Sequence, residues 1–143
     1  MIDYVCGFCF DPAGKQIVLI KKNRPEWQKG LLNGVGGKVE EGEQHREAIQ
    51  REFLEETGVK IENWELFCVY QGKDYVVHFF KTFSLEYDKI ESKTDEHVSV
   101  YEIDFLNSSD VLRWTKNKTI DNLKWLIPLA LDTRIDTVAC FEK

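Results

Sequence analysis

The chain of 143 residues is 43% hydrophobic and 13% aromatic, enough for one compact domain with a sizeable core and with little room for a second. Nineteen Lys and Arg stand against 25 Asp and Glu, so a formal net charge of -6 offers no broad positive field to a nucleic-acid polymer or an anionic membrane. The opening Met1-Ile2-Asp3-Tyr4-Val5 lacks the basic flank and apolar stretch of a signal peptide, and no apolar run is long enough to span a bilayer, so a soluble cytoplasmic protein is expected.

In chain order, the apolar runs Tyr4 to Phe10 and Gln16 to Ile20 flank the turn-forming Asp11-Pro12-Ala13-Gly14, which predicts a hairpin. The first run contains Cys6 and Cys9 as C-x-x-C, but Cys68 and Cys140 stand far away and singly, so no zinc site is completed. Residues three apart on a strand point to opposite faces, and the pair reads as small buried side chains. Lys21-Lys22-Asn23-Arg24-Pro25 ends the second strand, and a glycine-rich loop follows from Gly30 to Gly42. Good helix formers from Glu43 to Thr57, with Gly58 as C-cap, predict a helix. Trp64 to Tyr70 and Tyr75 to Leu85, split by Gln71-Gly72-Lys73-Asp74, predict a long hairpin, and Val98 to Phe105 a further strand. Asn107 to Thr119 reads as a loop with one helical turn begun by Ser108 or Ser109. From Ile120 the spacing of Ile120, Leu123, Ile127 and Leu131 predicts a helix that Pro128 kinks or divides. His45, His78 and His97 show no ligand spacing and are assigned no chemistry.

The chemistry concentrates where the glycine loop meets the first helix. At about 100° per residue, Glu52, Glu55 and Glu56 fall within an arc of roughly 100°, so three carboxylates share one helix face. One reading is a solvated acidic face. Against it, Arg51 can pair with Glu47 and Glu55 at four-residue spacing, while no Lys or Arg stands where it would neutralise Glu52 and Glu56 together. A clustered carboxylate face suits a hard divalent cation such as Mg²⁺, and Gly34, Gly36 and Gly37 let backbone carbonyls approach the same ion.

Gly37, Glu43, Arg51-Glu52, Glu55-Glu56 and Gly58, with bulky Phe53 and Val59 between, resemble the complete signature of the Nudix hydrolases, G-x5-E-x7-R-E-U-x-E-E-x-G-U. The resemblance implies an α+β fold, a Nudix-type α/β/α sandwich with a mixed sheet and a loop-helix catalytic motif over residues 37–59 of a single domain, 1–143. It implies hydrolysis of a nucleoside diphosphate linked to another group, with Mg²⁺ as cofactor and Mn²⁺ as its substitute. Carried over by position, Glu52, Glu55 and Glu56 are metal ligands with the carbonyl of Gly36. Gly37, Glu43, Arg51 and Gly58 are structural, with Glu43 and Arg51 holding loop to helix through an ion pair. Catalysis falls to Glu52, Glu56 and Glu96; Glu52 is the expected general base and Glu96, in Thr94-Asp95-Glu96-His97, its rival and a further metal ligand.

The stretch Leu32-Asn33-Gly34-Val35-Gly36-Gly37-Lys38 is similar to the small nucleoside triphosphate hydrolases that remove oxidised purine nucleotides, with Leu32 replacing their usual Trp. That likeness implies a monophosphate and pyrophosphate as products, and Asn33 with Asp121-Asn122 as base-binding candidates. Amides and carboxylates match a purine's donor and acceptor edge; the other reading of Asp121-Asn122 is a helix cap. Lys38, Lys22 and Arg24 are candidates for phosphate oxygens, Trp27 and Trp114 for stacking on a base. The expected partner is a small nucleotide, and the protein a monomer or homodimer. The alternatives are a hydrolase of dinucleoside polyphosphates or nucleotide sugars, to which Tyr75 gives a foothold, and a catalytically silent nucleotide-binding regulator.

Overall fold

Strand β1, Ile2–Phe10, sends alternate side chains into two separate cores, and the architecture follows from that alternation. The computed structural model describes residues 1–106 and 118–143; Trp114 and the turn expected at Ser108 or Ser109 lie outside them. Cys6, Phe8 and Phe10 enter one core with Ile17 and Leu19 of β2, Gln16–Lys21, whereas Val5 and Cys9 enter the other with Val18 and Ile20.

Around this pair the sheet is built from β3 (Leu32–Asn33), β4 (Val35–Lys38), β5 (Glu65–Gln71), β6 (Tyr75–Phe83), β7 (His97–Glu102) and β8 (Val138–Phe141). Its main path runs β3-β2-β1-β6-β5-β8, with β4 added on β1 and β7 on β2. The β1–β6 and β5–β8 pairs are parallel and the rest antiparallel, so the sheet is mixed. Helix α1, His45–Thr57, buries Ala48, Ile49 and Phe53 on one face. The short α2, Ile103–Leu106, and α3, Leu123–Leu131, cover the other, α3 through Leu123, Leu126, Ile127 and Ala130. The result is the expected α/β/α sandwich.

Several boundaries differ from the sequence reading. The glycine-rich loop contains β3 and β4, because backbone pairing with β2 and β1 outweighs the poor strand propensity of glycine. Gly36 is required there: a Cβ at this position would sit 2.0 Å from the carbonyl oxygen of Val5. Helix α1 begins two residues later than Glu43, with Glu47 Oε1 accepting from the Gln44 N–H, and it ends at Gly58 with φ 77°. Strand β6 stops at Phe83, leaving Leu85 to a 3-10 turn, and the strand expected to reach Phe105 ends at Glu102, where α2 takes over. Pro128 leaves α3 undivided; the carbonyl that loses its N–H partner belongs to Lys124, an exposed residue, so the loss is not a buried one. Strand β8 is too short, at four residues, to give a periodic signal.

The C-x-x-C residues divide between the two cores, as their strand spacing requires, and burial pushes both the Cys6 and the Cys9 thiol up to about 12. Cys140, on β8, is half-exposed. Iodoacetamide at pH 8 should therefore alkylate Cys140 in the native chain while Cys6 and Cys9 react only after unfolding. Peptide mass spectrometry checks this, and labelling of Cys6 and Cys9 at the rate of Cys140 would contradict it.

Candidate active site

Arg51 joins the glycine loop to α1. Its Nε and Nη2 donate to the two oxygens of Glu43 at 2.7 and 3.0 Å, and Nη2 also donates to the carbonyl of Lys38 at 3.0 Å. Its Nη1 reaches Glu52 Oε1 at 2.9 Å and Glu55 at 3.3 Å. The hydrogen bonds from Arg51 hold the Glu43 carboxyl below the usual carboxylate range. Arg51 thus compensates Glu52 from the adjacent position, a pairing that three- and four-residue helical spacing does not reveal; Glu47 instead closes the helix N-terminus.

Glu52 lies directly beneath the loop, where a Cβ on Gly37 would meet its Oε1 at 2.5 Å. Only 13% of its side chain is exposed, and burial raises its pKa despite the opposing effect of Arg51. Glu55 is exposed, and Glu56 Oε2 accepts from Thr94 Oγ1 at 2.8 Å. Thr94 in turn accepts from the Glu96 N–H. Glu96, in a polar segment of the sequence, is 3% exposed: one oxygen accepts from Lys22 Nζ at 3.2 Å and the other from the Asn23 N–H at 2.6 Å. Its carboxylate therefore anchors the segment after β2 beside the glutamate end of α1.

Gly36 and Gly37 also line a cleft of about 480 Å³, a volume within the range of small-molecule sites. Asn33, Lys22, Trp27, Tyr75 and Asn122 contribute to its lining. Asn33 Oδ1 accepts from the Gly34 N–H at 2.7 Å, and its amide nitrogen reaches Gln28 Oε1 at 3.4 Å. Asn122 stands at the start of α3 without capping it, and its Oδ1 is buried with no hydrogen-bond partner among the described residues. An acceptor held dry and unpaired at a cleft wall calls for a donor from a ligand. Trp27 is 69% exposed at the same cleft.

Other candidates fall elsewhere. Asp121 is exposed and Lys38 contributes its carbonyl to Arg51, and neither lines the cleft. Arg24 pairs with Asp95. Tyr70 lines the cleft and stacks on Tyr75 with centroids 6.3 Å apart. Within an apolar strand it was indistinguishable from core. The histidines also have more organisation than their spacing suggested, since Asp3, His45 and His78 gather at one point.

Glu52, Glu55 and Glu56 supply oxygen donors from one helix face beside a glycine cradle, and the half-buried Glu52 carboxylate is poorly solvated. This donor chemistry fits a hard divalent cation. Glu52 and Glu55 share Nη1 of Arg51 while Glu56 accepts from Thr94, and among the described residues only Asp3, His45 and His78 bring three ligand-type atoms within 4.8 Å of one another.

The NUDIX domain family model matches residues 2–126. Among solved structures, the chain is similar to the mutator MutT protein of Bacillus halodurans, at 21% identity and a TM-score of 0.69 over 100% of this chain and 91% of that one. A MutT from the pair Aliivibrio salmonicida and Vibrio cholerae gives 23% identity and 0.65 over 78% and 94%, and a NUDIX hydrolase of Nitrosomonas europaea 18% and 0.64 over 99% and 78%. At these identities the structural likeness speaks to the fold, and the family model covers most of the chain. With the signature intact on the loop and α1, the chain belongs to the Nudix family of pyrophosphohydrolases.

Proposed function

We propose that the chain hydrolyses a nucleoside triphosphate, of which an oxidised purine nucleotide is one candidate, to the monophosphate and pyrophosphate. The observation that carries this reading is the cleft whose lining includes both Gly37, with Glu52 directly beneath it, and Asn122 with its buried acceptor. The triphosphate lies toward the loop and the base toward Asn33 and Asn122, where Trp27 gives it a face to stack on.

Glu52, Glu55 and Glu56, with the Gly36 carbonyl, would hold Mg²⁺ or Mn²⁺. When bound, such cations neutralise phosphate oxygens and acidify the attacking water. Glu52 accepts the proton of that water as the water oxygen bonds to phosphorus and the bridging P–O bond breaks; its mostly shielded carboxylate beneath Gly37 suits it to this task. Glu96 has both oxygens engaged by Lys22 and Asn23, which favours a positioning role over that of base. Lys22 lines the cleft and would counter the charge of the phosphates. Tyr75, stacked on Tyr70 in the same cleft, supports dinucleoside polyphosphates as the second reading.

Glu56→Gln, which keeps an acceptor for Thr94, should fold normally and lose at least about 100-fold in kcat, the lower end of what a positioned group contributes. Pyrophosphate release in Mg²⁺ measures it, and full activity on every nucleotide would refute the assignment. On a panel of normal and oxidised nucleoside triphosphates, dinucleoside polyphosphates and ADP-ribose, Asn122→Ala should shift kcat/KM between bases by up to about tenfold, the worth of one hydrogen bond. An unchanged base ranking would remove Asn122 from the base site, and preferred cleavage of dinucleoside polyphosphates would select the second reading.

A further inference from the structure

Asp3 on β1, His45 in the first turn of α1 and His78 on β6 converge from three elements. Asp3 Oδ2 lies 2.7 Å from His45 Nε2, and the two imidazoles stack with centroids 3.6 Å apart and planes at 26°. Asp3 Oδ1 and His78 Nδ1 are 3.5 Å apart yet form no hydrogen bond, and each is a buried atom without another partner. Two polar atoms withdrawn from water and left unpaired each cost on the order of 1 to 3 kcal/mol, which a shared ligand would relieve.

This cluster is distinct from the nucleotide cleft. In the parallel β1–β6 register Val5 faces His78, and Val5 and Phe80 belong to the core beneath α1, so Asp3 and His78 point to that side of the sheet. The cleft residues Tyr4, Cys6, Val77 and Phe79 alternate with them and point to the other. Along α1, His45 precedes Glu52 and Glu56 by about 10 and 16 Å of helical rise.

We propose that Asp3, His45 and His78 form a second cation site, one for a Zn²⁺-class transition ion, that fastens the start of α1 to β1 and β6. Two imidazoles and a carboxylate, with a remaining position open to water, match the borderline preference of Zn²⁺, whereas the oxygen-only glutamate face suits Mg²⁺. Tetrahedral bonds of about 2.0 to 2.1 Å separate neighbouring ligand atoms by about 3.3 Å. The observed 2.7 and 3.5 Å bracket that spacing. The stacked rings must rotate out of parallel to aim both nitrogens at one ion, and the imidazole torsion is a soft one.

Co²⁺, the visible-spectrum substitute for Zn²⁺, is titrated into the full chain with Mg²⁺ in excess to fill the glutamate face. A tetrahedral d–d band should saturate at one ion per chain and be displaced by Zn²⁺. His78→Ala and the isosteric Asp3→Asn should each weaken binding at least about tenfold, no less than the loss of an outer-shell partner costs, with an unchanged circular dichroism spectrum. Glu52→Gln should leave the band in place. Nitrogen NMR of the imidazoles gives the answer without a variant: Zn²⁺ should shift His45 and His78 and spare His97. The proposal is overturned if Mg²⁺-saturated protein binds no Co²⁺, if the band survives both cluster variants or vanishes with Glu52→Gln, or if Zn²⁺ leaves the His45 and His78 signals unmoved.

Discussion

One guanidinium holds the glycine loop against the glutamate helix. Arg51 spends two donors on Glu43, one further contact on the Lys38 carbonyl and the rest on Glu52 and Glu55, so it fixes the loop before the helix and the carboxylates on it. An exposed ion pair is worth little, but a bidentate one that is mostly shielded from water is stronger and directional. Because Arg51 keeps the Glu43 pKa low, the stabilisation is present above the ordinary carboxylate range and is lost as pH falls through the depressed Glu43 value. Glu52 has the opposite sign: its raised pKa means that ionising it costs the folded state something, a cost a bound cation would offset.

The second organising feature is the alternation along β1 and β6. Odd positions of β1 face α1, which bears the carboxylates, and even positions face the aromatic cleft and α3. The backbone of β4 links the two sides. It pairs with β1 so closely that Gly36 admits no side chain, and Gly37 touches Glu52 while lining the cleft. The glutamate helix and the proposed base site therefore adjoin a segment with no side chain to obstruct either. An acidic chain that takes a polyphosphate needs added positive charge, and in the proposed function cations held by Glu52, Glu55 and Glu56 supply it.

The motif helix, the N-terminal hairpin and the central hairpin were legible because each has a local signal: Gly58 as a cap, Asp11 to Gly14 as a turn, and alternating apolar strands. Strands β3, β4 and β8 were not, since their stability comes from neighbours distant in sequence. The same reason explains which contacts at the site the sequence did not reveal. Arg51 compensates Glu52 from the next position, Glu96 is buried by Lys22 and Asn23, and Asp3, His45 and His78 meet across 75 residues of chain. Asn122 was identified as a base candidate from its place ahead of the C-terminal helix. Its failure to cap that helix emerges only from the backbone, which is already helical at φ −71° and ψ −16°.

The central claim is that loop and helix work as one unit through Arg51 and Glu43. A double-mutant cycle with Arg51→Gln, Glu43→Gln and the pair, read in both unfolding free energy and kcat/KM for pyrophosphate release, tests it most directly. The account predicts strong coupling in both readouts, about 1 to 3 kcal/mol, with the double variant little worse than either single one. Additive losses would show that Arg51 and Glu43 act independently and would contradict it.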